Sequence, residues 1–178
     1  MAIDTNLEQV LDYVELLHKL APNWSYAKNI LNFGGSDFSD QAEACITENY
    51  KRDMTVVSYD WHENLGGETN SDEIDITKRR FCIMLCANVL NTCKDLEPVL
   101  ATMAKIDFDC AVIQINDGNR SGKGRKTRDG YQRNEVVADY IPILKRNFHK
   151  FDVTLHRSDK CITIVKGRKY YELDDLED

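Results

Sequence analysis

No apolar run in these 178 residues approaches the ~20 that cross a bilayer. The opening MAIDTNLEQ lacks the basic start and apolar segment of a secretion signal. Both absences point to a cytoplasmic protein with no membrane partner. No CxxC pair occurs among the six cysteines, Cys45, Cys82, Cys86, Cys93, Cys110 and Cys161, so neither a zinc site nor a disulfide framework is expected. The cysteines sit mostly in apolar runs and read as buried thiols. The four histidines, His18, His62, His149 and His156, show no ligand spacing, so no metal is expected. No internal repeat or low-complexity linker divides the chain. One domain is expected over 1–170, with an N-terminal helix over 1–21 and an acidic tail over 171–178.

What is present is an alternation of periods. Leu7, Val10, Leu11, Val14, Leu17 and Leu20 trace one helical face up to Pro22, behind a possible capping box at Thr5 and Glu8. NILNF and TVVSY read as short strands on either side of a helical SDQAEACITENY, and DEIDI as a third strand. FCIMLCANVL is nearly all apolar, as a parallel strand buried on both faces requires. A helix follows around Leu96, Val99, Leu100, Met103 and Ala104, and then the buried strand DCAVIQIND. NEVVADYIPILKRNF reads as a helix kinked at Pro142. KFDVTLHR and KCITIVK are separated only by SDK, which can join antiparallel strands but cannot hold a crossover helix. The expected fold is therefore α/β, with a mainly parallel sheet and a C-terminal antiparallel hairpin. A ligand crevice is expected at the carboxyl ends of the first strands.

At that crevice the first strand empties into Gly34 and Gly35, then Ser36, Asp37 and Asp40. The third glycine of a dinucleotide turn is missing. Two carboxylates at a helix start suit the helix dipole but repel a pyrophosphate and compete for its amides. A nucleoside ligand without phosphates escapes that repulsion, and one with a cationic centre, such as S-adenosylmethionine, gains from it. Asp60, ending the second strand, is placed to accept hydrogen bonds from both ribose hydroxyls, and Trp61 beside it to stack on adenine. Asn88 and Asn91 close the apolar run of LCANVLNT, where amides could hold the adenine edge or line the methyl-transfer position. Asn91 also reads as a helix N-cap.

In order and spacing, NILNFGGSDFSD, VVSYDW, LCANVLNTCKDLEPVLATM and AVIQINDGNRSGKGRKTRDGYQRN resemble class I S-adenosylmethionine-dependent methyltransferases. They look most like the methyltransferases assigned to DNA phosphorothioation gene clusters, over roughly 29–165. The resemblance implies a Rossmann-like methyltransferase fold with one antiparallel strand placed in the sheet by the terminal hairpin. It also implies donor contacts from Gly34, Gly35 and Asp60, with Asn88 near the adenine or the methyl group. Asn32 stands where the family's first motif carries an acid, and Trp61 where proline is usual.

Charge is uneven along the chain. Residues 118–133 hold six Lys/Arg against one Asp, a net +5 that leaves −12 for the remainder of a −7 chain. Arg120, Lys123, Arg125, Lys126, Arg128 and Arg133 could hold nucleic-acid phosphates while Tyr131 stacks on a base; a solvated flexible loop is the alternative. No DPPY-like segment and no Pro-Cys nucleophile is present. The expected chemistry is thus direct in-line methyl transfer governed by alignment, with Asp117 or His62 nearest should a base be needed. Three functions stay open: a methyltransferase acting on nucleic acid, a catalytically degenerate module engaging a protein partner that supplies specificity, and a small-molecule methyltransferase.

Overall fold

The computed structural model describes residues 15–34, 44, 47, 54–61, 75–128 and 130–167. Six strands form one sheet in the order β2-β1-β3-β4-β8-β7, built from β1 (Asn29–Phe33), β2 (Thr55–Tyr59), β3 (Arg80–Ala87), β4 (Asp107–Gln114), β7 (Phe151–His156) and β8 (Cys161–Lys166). β2, β1, β3 and β4 pair in parallel, whereas β8 lies antiparallel between β4 and β7. A separate two-stranded ribbon pairs β5 (Arg125–Thr127) with β6 (Gly130–Gln132).

Helical segments α1 (residues 15–20), α2 (Glu97–Met103) and α3 (Ile141–Asn147) complete the layers. Alternate side chains of the central strands feed two cores, one on each face of the sheet. Ile30, Ile83, Leu85, Cys110 and Val112 meet Leu17, Ala21 and Trp24 on one side. Leu31, Phe33, Met84, Ile113 and Ile164 meet Val99, Met103, Leu144 and Phe148 on the other. Residues 83–86 and 110–113 are buried without a break, which is why these strands carry no polar alternation. Each fully buried Leu or Phe contributes ~1.5–3 kcal/mol. Among the described residues no helix is long and apolar enough to cross a membrane.

Three sequence expectations change. The DEIDI strand is not formed in its described part: Asp75 takes a hydrogen bond from the Thr77 backbone at 3.1 Å and caps a 3-10 turn over Ile76–Lys78, so a local cap prevails over the alternating pattern. Pro142 does not kink a helix, because it lies in the first turn of α3, where its missing N–H costs no hydrogen bond; a 3-10 turn, Val137–Tyr140, precedes it. Asn91 is not an N-cap but lies inside a 3-10 turn over Leu90–Thr92. The capping box at Thr5 and Glu8, the acidic tail and most of the expected helix after Ser36 lie outside the described residues, although Ala44 and Thr47 are helical.

Burial pushes the thiols upward, Cys93 to about 11 and Cys110 and Cys161 to about 12, with Cys86 also raised. A group whose folded value lies above the ordinary 9.0 contributes its full stability below that pH and loses it as pH rises through the folded value. Thermal stability in reductant is expected to hold up to about pH 9 and to fall above it, with a shallower fall for Cys110→Ala. An unchanged slope in that variant would assign the alkaline loss to other groups.

Candidate active site at the carboxyl edge of the parallel strands

β1 is the switch point of the sheet: the chain leaves it for β2 on one side and returns to β3 on the other. Side chains at the ends of β1, β2 and β3 therefore converge where an open α/β sheet forms its crevice. Phe33 stands level with Tyr59 on one side and Cys86 on the other, so Gly34, Asp60 and Asn88 follow at one edge.

Gly34 is there for two separable reasons. Its φ of +95° favours glycine, and a Cβ at this position would run into Cγ2 of the buried Val89. Its N–H donates to the Tyr59 carbonyl at 2.7 Å, locking the end of β1 to the end of β2. Asp60 is half-buried at that junction. Asn88 has φ +57° and donates its backbone N–H to the Gln114 carbonyl at 3.0 Å. Asparagine tolerates this left-handed conformation better than most residues, and the bend it makes carries Val89 onto Gly34. Asn32 is buried in β1 and donates its amide to the Ser58 hydroxyl at 3.3 Å. Trp61 is 7% exposed and stacks on Phe33 with centroids 6.3 Å apart. Its ring is a wall of the core and leaves little surface to a ligand. Gly35, Ser36 and His62 lie outside the described residues.

Asn91 and Asp117, expected at the reacting centre, are instead tied into the base of the basic segment. Asn91 is fully buried. Its amide donates to Gln132 Oε1 at 3.4 Å, its Oδ1 accepts from the Asn116 backbone at 3.4 Å, and its carbonyl accepts from Arg133 N–H at 2.9 Å. Asp117 is 5% exposed. One of its oxygens accepts from Val137 N–H at 3.1 Å, and the other faces Arg120 Nε at 3.2 Å and Lys160 Nζ at 3.8 Å. A carboxylate held between two cations and an amide ties the start of the basic segment to Lys160 ahead of β8 and to the turn at Val137.

The basic segment is thus an ordered hairpin. Gln132 Nε2 donates to the Asn116 carbonyl at 3.0 Å, while Asn134 accepts from Asn119 N–H at 3.1 Å and donates to the Lys123 carbonyl at 2.9 Å. Gly118 has φ +58°, and Gly124 lies under the Tyr131 ring, so neither has room for a side chain. Arg133 forms a paired contact with Glu135 at 2.8 and 3.0 Å and caps the Cys93 and Lys94 carbonyls. Two of the six cations are therefore engaged, Arg120 by Asp117 and Arg133 by Glu135. Lys123, Arg125, Lys126 and Arg128 are exposed and form no ion pair among the described residues. Sequence reasoning took Arg133 as a phosphate contact, where the structure engages it with Glu135, and passed over the anchors Asn116, Asn119, Gln132 and Asn134. The spaced Gln and Asn of YQRN were the available signal.

Neither a protein-family model nor a curated protein sequence matches the chain. Solved structures do. The N-terminal domain of EvdMO1, crystallised in the presence of SAH and D-fucose, superposes with a TM-score of 0.56 at 15% identity, covering 89% of this chain and 83% of that one. A protein from Listeria monocytogenes assigned as an S-adenosylmethionine-dependent methyltransferase superposes with a TM-score of 0.50 at 12% identity, over 88% of this chain and 99% of that one. At such identities the likeness is one of fold. The chain has an α/β Rossmann-like fold shared with these two structures, its parallel sheet completed by antiparallel C-terminal strands.

Proposed function

We propose that the chain is an S-adenosylmethionine-dependent methyltransferase acting on nucleic acid, with the donor seated at the ends of β1, β2 and β3. The observation that carries this reading is the junction of Gly34, Asp60 and Asn88 at the switch point of a methyltransferase-type sheet. The residues fit the donor: Gly34 turns the chain at the end of β1 with φ +95°, and Asp60 beside it offers a carboxylate, an acceptor of the kind two ribose hydroxyls require. Gly35 and Ser36 follow Gly34 in the sequence as further donor contacts, Asn88 borders the base or the methyl group, and Asn32 and Trp61 shape the walls behind it. The donor, when bound, supplies a methyl group on a cationic sulfur.

The chain's part is then alignment and exclusion of water. The substrate is held by the cations of the hairpin, with Asp117 and Asn91 fixing where they stand. Within the class, the four exposed cations Lys123, Arg125, Lys126 and Arg128 on one segment favour a polyanionic nucleic-acid substrate over a small molecule. The buried amide Asn32, in place of an acid, favours one other reading, a donor-binding module without turnover. Incubation with methyl-labelled S-adenosylmethionine and pooled DNA and RNA, followed by digestion to nucleosides, separates them. Label in a nucleoside supports the enzyme; donor binding without label in any nucleoside supports the module.

A further inference from the structure

We infer that the substrate surface is the β5–β6 ribbon and that the ribbon is built to enter the major groove of duplex DNA. This rests on the nucleic-acid reading above and narrows it to one duplex.

The first argument is shape. A two-stranded ribbon is one of the two elements that the B-DNA major groove, about 12 Å wide and 8.5 Å deep, admits. Here three residue pairs, Arg125 with Gln132, Lys126 with Tyr131 and Thr127 with Gly130, form such a ribbon. At ~3.3 Å per residue and ~4.8 Å between strands it is roughly 10 Å long and narrower than the groove. The major groove of an RNA duplex is too deep and narrow for side chains to read.

The second argument is rigidity. A flexible basic loop would lose conformational entropy on binding, whereas this ribbon is already held at its base by Asn91, Asn116, Asn119 and Asn134. Tyr131 packs across Gly124 and stiffens the ribbon itself, which removes it as a free platform for stacking on unpaired bases. That contact argues for a duplex over a single strand.

The third argument is charge. With Arg120 and Arg133 engaged in ion pairs, Lys123, Arg125, Lys126 and Arg128 remain for phosphates or base edges. The −12 carried by the remainder repels a polyanion elsewhere, so the field of the whole molecule turns this edge toward the duplex. Four phosphate contacts imply a slope of log K against log salt of about −3 to −4.

The test is fluorescence anisotropy with a short mixed-sequence DNA duplex, its single strand and the RNA duplex of the same sequence, across a salt series. Calorimetry with S-adenosylmethionine runs in parallel on the same preparations. The expected result is preference for the DNA duplex, competition by the major-groove ligand methyl green and none by the minor-groove ligand netropsin. Arg125→Ala/Lys126→Ala is expected to weaken binding at least 10-fold and to reduce the slope by about 2. The control Lys145→Ala/Lys150→Ala, which removes two exposed cations outside the ribbon, is expected to leave both unchanged. Tighter binding of the single strand, equal binding of the RNA duplex, or loss of binding to netropsin overturns the ribbon inference while nucleic-acid recognition stands. Binding to none of the three overturns the nucleic-acid substrate as well, and intact donor affinity would then leave the methyl-donor site standing alone.

Discussion

Asn91→Ala is expected to lower stability by about 2–4 kcal/mol and to release the base of the basic hairpin. The side chain is fully buried and serves two partners from distant parts of the chain, the Gln132 side chain and the Asn116 backbone. Both bonds are long, at 3.4 Å, so the bonds themselves contribute little. The loss comes from what remains: the buried Gln132 acceptor and the part-buried Asn116 N–H without their partner, beside a small cavity. The effect is local as well as global, so hydrogen exchange distinguishes it from ordinary destabilisation. Amides of 130–134 should exchange faster in the variant under conditions where those of β3 and β4 remain protected. Unchanged protection there, with stability within about 0.5 kcal/mol of wild type, would show that the hairpin is held by other contacts.

Gly34→Ala carries a cost of similar size from a different source. A non-glycine residue in the left-handed region costs about 1–2 kcal/mol, and forcing a methyl group into a packed position adds about 1–3 kcal/mol. Here the methyl meets Val89, a branched side chain that is itself 3% exposed and cannot swing away. The two contributions are separable. Val89→Ala in the Gly34→Ala background should recover the steric part and leave the conformational part, a coupling that a double-mutant cycle measures directly. Donor affinity is expected to fall in Gly34→Ala and to recover only partly in the double variant. Additive effects would mean that the end of β1 does not press on Val89.

The sheet was legible because its strands announce themselves. NILNF and TVVSY coincide with β1 and β2 residue for residue, and the short SDK gap forced the antiparallel pair at the C-terminus. The cores behind them follow from uninterrupted apolar runs. The ribbon was not legible, because RKTRDGYQ has no apolar alternation and owes its order to partners such as Asn91, 41 residues away from Gln132. The same distance effect hid the reason for Gly34, which depends on Val89, and moved Asn91 from cap to anchor. Pairs of residues can be read from spacing only when the spacing is local. Asp75 shows the converse, where a local hydrogen bond to Thr77 defeats a pattern that looks like a strand.

The most direct measurement is calorimetric titration of the protein with S-adenosylmethionine and S-adenosylhomocysteine, beside Asp60→Ala. Asp60 is half-buried just past the end of β2 and belongs to neither hydrophobic core, and the thermal transition of the variant, measured on the same preparation, separates lost binding from lost folding. Saturable binding of both ligands, lost in Asp60→Ala, is the expected result and fixes the donor at the ends of β1, β2 and β3. No binding at millimolar ligand, or binding that Asp60→Ala leaves intact, would contradict a donor site there.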